Sequence, residues 1–310
     1  MDSSFLSKDN IMENNLRVYS WNDIISGNFF PRHQLQERGY EGTALTVGGF
    51  DGAHVGHQAL FNAVLSQKKL LPGVITFGIS PKARLNPESF SGSVYTMEQR
   101  LQCFQEAGFA FAVVIDFSGD FGRMDGVTFL QHLKNQLHMS FLAEGTDFRC
   151  GYKGAVNIDF LRDFALQNGL TLEVVDPVIV DGVRVSSSEI RNSLLQGNFS
   201  RCRQFLGRNF ALGGDCFQWQ WEDNSLVGMR KQAPCGCIQI LPPAGSYQVT
   251  VHCKIQAKDA SIEKVISFAE KAIIREESLS MILSEDSSKV LPIGMIGSES
   301  VLVSSVEFTC

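Results

Sequence analysis

The sequence predicts an α/β protein, a helix-covered parallel sheet over residues 1–206 followed by a small, mostly β domain over residues 207–310. Three observations predict it. From about residue 43 to residue 206, short apolar runs alternate with stretches whose apolar residues recur every three or four positions. The runs Thr43–Val47, Val74–Phe77 and Ala110–Ile115 lack the polar alternation of a half-exposed strand, which marks strands buried on both faces. After Gly207 the texture changes to alternating aromatic and β-branched segments separated by turn residues. A chain of 310 residues also suits two domains of about 150 each.

Residues 1 to about 40 carry a short strand at Arg17–Tyr19 and a short helix at Trp21–Ile25, with little other pattern. The strand Thr43–Val47 breaks at Gly48-Gly49. A helix then starts near His54, places Leu60, Phe61, Val64 and Leu65 on one face, and is expected to run through Lys69 and close at Leu71-Pro72-Gly73. Thr96 is a candidate N-cap for the next helix, which Gly108 stops. Asp125–Leu137 has helical spacing through Phe129, Leu130, Leu133 and Leu137, and Phe141–Ala143 is strand-like. Ile158, Leu161, Phe164 and Ala165 mark another helix, Leu170–Val175 another strand, and Ser186 opens a helix toward Gly197. In the second domain Cys216–Trp221, Gln248–Ile255 and Val301–Phe308 are expected as strands, with turns at Glu222–Asn224 and Pro242–Gly245. One helix is expected at Ala260–Glu276.

Ligands of parallel sheets bind beyond the carboxyl ends of the strands. The glycine turn, Gly78–Pro81, Asp116, Gly145–Asp147 and Ser186–Ser188 all follow strands, so they are expected to converge on one crevice. The glycine turn carries the strongest chemistry. Thr43–Gln58 reads as strand, glycine-rich turn and helix start, with His54 and His57 three apart on the first helical turn. Free backbone N–H groups and the positive end of the helix dipole favour an anion there, so the stretch is suited to phosphate. In the second segment, Val185–Arg191, Ser186 and Glu189 match a capping box, and the hydroxyls of Ser187 and Ser188 with Arg191 would also suit a polyphosphate.

Gly49-Phe50-Asp51-Gly52-Ala53-His54-Val55-Gly56-His57 resembles the HxGH signature of the nucleotidyltransferase superfamily, in the fuller GxFDGxHxGH form of bacterial flavin-adenylating enzymes. Val185–Arg191 resembles the (V/I)SSTxIR motif of the same family, with Ser188 where threonine is usual. Glu144–Gly151 is similar to its GxDFRFG segment, with Cys150 in place of phenylalanine. Val74–Pro81 resembles a TFxPHP segment that has lost its histidine and first proline. The resemblance spans residues 43–207 and is to bacterial FAD synthetases, usually bifunctional riboflavin kinase/FMN adenylyltransferases.

That resemblance implies a Rossmann-like nucleotidyltransferase domain followed by a barrel-like β domain. It implies the reaction of FMN with ATP to give FAD and pyrophosphate. His54, His57 and Arg191 would be catalytic, and Gly49, Phe50, Gly56, Ser187 and Ser188 would join them in binding ATP. Phe77, Asp147 and Phe148 would bind FMN, with Asp147 open to substrate or hydrated metal. Mg²⁺ would come in bridging the phosphates, since this ion prefers phosphate oxygens and retained waters to a protein cage. The FMN phosphate is already anionic at neutral pH, so no base is required.

In the second domain Leu206–Phe210 and Pro243–Val249 echo the family's kinase barrel. Where a GxPTAN segment should fall the chain reads Gly228-Met229-Arg230-Lys231-Gln232-Ala233-Pro234, without the threonine and asparagine, and only Glu285 stands near the expected catalytic glutamate. The expectation is an adenylyltransferase with a degenerate kinase domain. The alternatives are a bifunctional enzyme, the same fold acting on phosphopantetheine or a cytidylyl acceptor, or a non-catalytic flavin- or nucleotide-binding descendant.

Composition bounds the rest. Hydrophobic residues make up 44% and charged residues 19%, and the net charge of −6 gives no electrostatic case for nucleic acid as a partner. Eight cysteines include no CxxC pair, Cys235-Gly236-Cys237 being one residue too tight. The polar N-terminus is not expected to act as a secretory signal, and the sequence holds no run of about 18 apolar residues of the kind that spans a membrane. Reduced thiols in a cytoplasm are expected.

Overall fold

A computed structural model describes residues 16–117, 121–222, 225–232, 238–256, 263–284, 287 and 301–309. In chain order it contains β1 (Arg17–Ser20), α1 (Trp21–Ile25), α2 (Arg32–Glu37), β2 (Gly42–Val47), α3 (Val55–Leu65), β3 (Leu70–Phe77), α4 (Pro81–Leu85) and α5 (Met97–Ala107). There follow β4 (Phe111–Ile115), α6 (Gly126–Gln136), β5 (Met139–Gly145), α7 (Ile158–Asn168), β6 (Thr171–Val175), β7 (Ile179–Val180) and β8 (Val183–Arg184). Next come α8 (Ser187–Leu195), α9 (Phe199–Leu206), β9 (Ala211–Gly213), β10 (Phe217–Glu222) and β11 (Ser225–Arg230). The last are β12 (Gly245–Gln256), β13 (Glu263–Ile274), β14 (Ser278–Ile282) and β15 (Val301–Phe308).

The chain divides into two compact units, one drawn from residues 1–48, 60–76 and 101–175, the other from 49–59, 77–100 and 176–310. The first holds the expected parallel sheet, in the strand order β1-β4-β3-β2-β5-β6. The pairs β1–β4, β2–β3, β2–β5 and β5–β6 are all parallel. Every residue of the central strand β2 is buried, which is why its sequence shows no polar alternation. Local signals set the helix starts: Asp125 caps α6 and Asn157 caps α7.

Strand β3 corrects the expectation of a helix running to Lys69 and closing at Leu71-Pro72-Gly73. Helix α3 stops at Leu65, and β3 runs from Leu70 straight through Pro72 and Gly73. The Pro72 carbonyl accepts from the Ala110 N–H at 3.0 Å, so the ladder uses the group proline keeps rather than the one it lacks. Gly73 is required because a Cβ there would collide with the Phe111 ring.

In the second unit, seven strands form one sheet in the order β10-β11-β14-β13-β12-β15-β9. All the strand pairs with assigned register are antiparallel. The two edge strands, β9 and β10, are joined by only the three-residue turn Gly214–Cys216, which draws the sheet almost closed as a barrel. Phe210, Leu212, Phe217, Val251, Met281 and Phe308 are among the residues filling it. The hairpin β7–β8 turns on Asp181 and Gly182, both at positive φ as a tight two-residue turn demands.

Strand β13 overturns the helix expected at Ala260–Glu276, of which Ala260 lies outside the described residues. Its twelve residues pair antiparallel with β12 from Gln256↔Glu263 to Gly245↔Ile274. Ile266, Phe268, Glu270, Ala272 and Ile274 are buried while the residues between them face outward, a period of two that the apolar count shares with a helix. Long pairing with β12 decides between the periods.

The last parallel strand ends at Val175 and the first barrel strand begins at Ala211, so we keep 1–206 and 207–310 as the proposed division by architecture. The compact units do not follow it, because Gly49–Ala59 and Phe77–Arg100 group with the barrel.

Candidate active site

The loop between β2 and α3 has an unusual backbone. Phe50, Gly52 and Ala53 have φ of 45°, 81° and 39°, and only the middle one is a glycine. Each non-glycine residue in this region costs about 1–3 kcal/mol and persists only where its surroundings over-determine it. The surroundings here are three arginines and one carboxylate of the same unit. Asp51 is buried, accepts the N–H groups of Val94 at 3.0 Å and Tyr95 at 2.9 Å, and ion-pairs with Arg191. Arg191 Nε donates to the Gly92 carbonyl at 2.7 Å, and its guanidinium lies 5.1 Å from the Phe90 ring centroid. Arg100 Nη1 donates to the carbonyls of Gly49 and Phe77, both at 2.9 Å, and Nη2 to that of Gly78 at 3.3 Å. Arg208 Nη2 donates to the Gly52 carbonyl at 3.0 Å, and the Ser187 hydroxyl to that of Asp51 at 2.9 Å.

His54 closes this loop and His57 stands in the first turn of α3. Their rings stack with centroids 3.5 Å apart and planes 15° from parallel. Gly56 permits it, because a Cβ there would lie 3.2 Å from the His54 ring. Phe50, also buried, packs edge-on to His57 at 5.2 Å. Burial, aided by the charges of Arg208 and Arg191, pushes His54 down to about 4. Burial first, then His54, Arg100 and Arg208, hold His57 well below the usual histidine range. Both rings are therefore neutral at pH 7. His54 Nδ1 faces the His57 backbone N–H at 3.2 Å and accepts from it, so the His54 proton sits on Nε2. His57 Nδ1 is buried with no hydrogen-bond partner among the described residues. The pair can stabilise an anion as neutral donors, with the positive charge supplied by arginines behind the turn.

The second predicted segment meets the first here. Ser186 caps α8 by accepting from the Glu189 N–H at 3.2 Å, the half of the expected capping box that carries the helix start. Ser187 touches the glycine turn as described, and Ser188 Oγ lies 3.5 Å from Lys82 Nζ. Thus Gly49, Phe50, His54, Gly56, His57, Ser187, Ser188 and Arg191 belong to one unit, as does Phe77, half-buried at the end of β3. Asp147, exposed, and Phe148, half-buried, occupy the turn after β5 in the other unit, which also contains Asp116. In that turn Cys150 is no reactive thiol: burial, with Glu144 and Asp125 nearby, pushes it up to about 12.

Sequence reasoning missed Asp51, Arg100 and Arg208. Asp51 stood inside the quoted motif without a role, and Arg208 stood in Leu206–Phe210 as an echo of the barrel. Among the described residues, no group of three or more His, Cys, Asp and Glu side chains is gathered as for a metal ion. Among them, too, no helix is long and apolar enough to cross a membrane.

Comparison with known proteins agrees with the motifs. Residues 36–189 match a family model described as FAD synthetase. Three curated relatives are each named bifunctional riboflavin kinase/FMN adenylyltransferase. That of Buchnera aphidicola from Schizaphis graminum is 26% identical over 231 residues, 71% of this chain and 72% of that protein. That of Escherichia coli K12 is 28% identical over 186 residues, 59% of each chain. That of Pseudomonas fluorescens is 29% identical over 228 residues, 71% of each. A crystal structure from Streptococcus pneumoniae, described as a macrolide-efflux protein, shares the fold with a TM-score of 0.68. It is 18% identical, with 95% of this chain and 90% of that one covered. On its two motif segments and the family match together, the chain belongs to the FAD synthetase family.

Proposed function

We propose that the protein is an FMN adenylyltransferase, making FAD and pyrophosphate from FMN and the magnesium complex of ATP, without riboflavin kinase activity. The observation that carries the proposal is the stacked, neutral His54–His57 pair on a strained turn backed by Arg100, Arg191 and Arg208. In-line attack of the FMN phosphate on the α-phosphorus of ATP forms one P–O bond and breaks another, with pyrophosphate leaving. The nucleophile is already ionised, so the protein's work is to bring two anions together and stabilise developing charge. Neutral imidazoles suit that work, because they donate hydrogen bonds without trading protons with the phosphates.

In this assignment His54 and His57 donate to the phosphate oxygens of ATP, and the backbone of Gly49, Phe50 and Gly56 borders the nucleotide. Ser187, Ser188 and Arg191 hold the β- and γ-phosphates. Arg191 already spends Nε and Nη2 on Gly92 and Asp51, so its contribution is charge together with Nη1. Phe77, Asp147 and Phe148 are assigned to the flavin side. Mg²⁺ would come in bridging the ATP phosphates, since this ion prefers phosphate oxygens and retained waters to a protein cage, and Asp147 would face substrate or the hydrated metal. The protein works in a cytoplasm, with no role for nucleic acid.

Loss of kinase chemistry rests on the Gly228–Pro234 segment, of which Ala233 and Pro234 lie outside the described residues, as does Glu285. Met229, paired with both β10 and β14, and Arg230, paired with β10, are ordinary residues of β11. Arg230 is turned to the Gln239 carbonyl at 2.6 Å. A ribityl hydroxyl needs a base and a phosphate-binding backbone to be phosphorylated. Incubation with ATP, Mg²⁺ and FMN should give FAD and pyrophosphate in equal amounts on chromatographic separation. Unchanged FMN beside an active control enzyme would refute adenylyl transfer.

A further inference from the structure

The segment that leads from α9 into the barrel reaches back to the glycine turn. Arg208 Nη2 donates to the Gly52 carbonyl at 3.0 Å and to the Ala53 carbonyl at 3.4 Å, while Nε donates to the Tyr95 hydroxyl at 3.0 Å. The Ala53 carbonyl belongs to the peptide that carries the His54 backbone nitrogen, and Gly52 and Ala53 are two of the three positive-φ residues of the turn. Tyr95 is in turn fixed by its own N–H on the Asp51 carboxylate at 2.9 Å, and its ring lies 5.2 Å below the Arg208 guanidinium. A second link runs beside the first: Gln58 Nε2 reaches both the Ala53 and Leu206 carbonyls at 3.4 Å.

We propose that Arg208 is a positioning residue for adenylyl transfer: its guanidinium fork holds the strained Gly52–Ala53 backbone and so fixes where His54 presents its donor. The proposal rests on the assignment of the histidine pair to that reaction. Only a planar fork meets two backbone carbonyls and a phenol at once, so lysine is no substitute. Arg208 also carries one of the charges that keep both imidazoles neutral. The β domain thereby has a use that needs no kinase chemistry, since the segment that leads into its first strand, β9, is tied to the transfer site.

Arg208→Lys keeps the charge and removes the fork. It is expected to lower kcat for FAD formation about 10- to 100-fold, the scale of a misplaced catalytic group, with KM for FMN and ATP within about twofold of the parent. A folded variant with parental kcat, or one changed in KM alone, overturns the proposal. Should Arg208→Lys not fold, Tyr95→Phe removes only the acceptor that orients Nε. A smaller fall in kcat is then expected at unchanged KM, and parental kcat overturns the proposal. The NMR shift of the His54 ring Cε1–H, compared between the parent and either variant, reads positioning without any assay. It should move, and identical shifts would refute the fork's role. If the parent makes no FAD at all, the functional assignment fails while this spectrum still decides the role of Arg208.

Discussion

Two glycine-led stretches of one compact unit, Gly49–His57 and Gly228–Gln232, hold their glycines for different reasons. In the first, Gly52 is at φ 81°, between two non-glycine residues also at positive φ, two arginines grip the surrounding carbonyls, and a third pairs with the Asp51 carboxylate. In the second, Gly228 lies in the regular strand β11, and a Cβ there would meet the Trp219 ring at 2.8 Å. One glycine serves a strained, charged loop suited to phosphate, the other a packing contact. The same residue type in a similar place thus supports opposite conclusions, and the surrounding polar groups decide between them.

The largest effect should come from breaking the support of the first stretch. Asp51→Ala leaves Arg191 buried without its carboxylate and strips the acceptor from the Val94 and Tyr95 N–H groups. Removing one partner of a buried pair costs about 3–5 kcal/mol, which urea unfolding at pH 7 would read. A loss below about 1 kcal/mol, the worth of a surface pair, would mean the turn does not depend on this carboxylate.

His57→Ala tests the chemistry on that support. Loss of one preorganised donor typically costs about 100- to 1,000-fold in kcat, with the fold retained. Near-parental turnover would remove His57 from the mechanism.

The pH response sharpens the contrast further. His54 titrates at about 4 in the fold and near 6.5 when unfolded, so between those values the unfolded chain binds a proton the folded one refuses. Stability should therefore fall as pH drops from 6.5 toward 4, by about 3 kcal/mol for His54 alone, with His57 adding in the same direction. Urea midpoints of the parent and His54→Asn across this window would check it. Identical slopes for the two would contradict a neutral His54.

The smallest effect on FAD formation should come from the second stretch. Gly228→Ala overpacks against Trp219 and is expected to cost about 1–3 kcal/mol of stability. FAD kcat should stay within about twofold of the parent at a temperature where both are folded. A large fall in kcat would tie β11 to the transfer site after all.

What the sequence made legible follows the range of the interactions. The turn, the Ser186 cap and the Thr96 cap are written in residues a few positions apart, and all three form. The arginine clamp is not written that way. Arg100, Arg191 and Arg208 meet the turn across 51, 140 and 156 residues, and nothing local in Arg100 or Arg208 marks them as donors to it. Strand β13 was hidden for another reason. Its apolar residues fit a period of 3.6 as well as one of two, and only pairing with β12 selects the second. Pro72 misled because proline reads as an end, whereas a strand can carry it where the ladder needs only its carbonyl.

The comparison of the two stretches is tested most directly by giving one preparation of the full chain ATP and Mg²⁺ with either FMN or riboflavin. With FMN, FAD and pyrophosphate should accumulate together. With riboflavin, neither FMN nor FAD should form over the same time. Conversion of riboflavin to FMN at a rate comparable with FAD formation would contradict the account, because it would restore to the barrel the chemistry that the proposed reading of Gly228–Gln232 denies it.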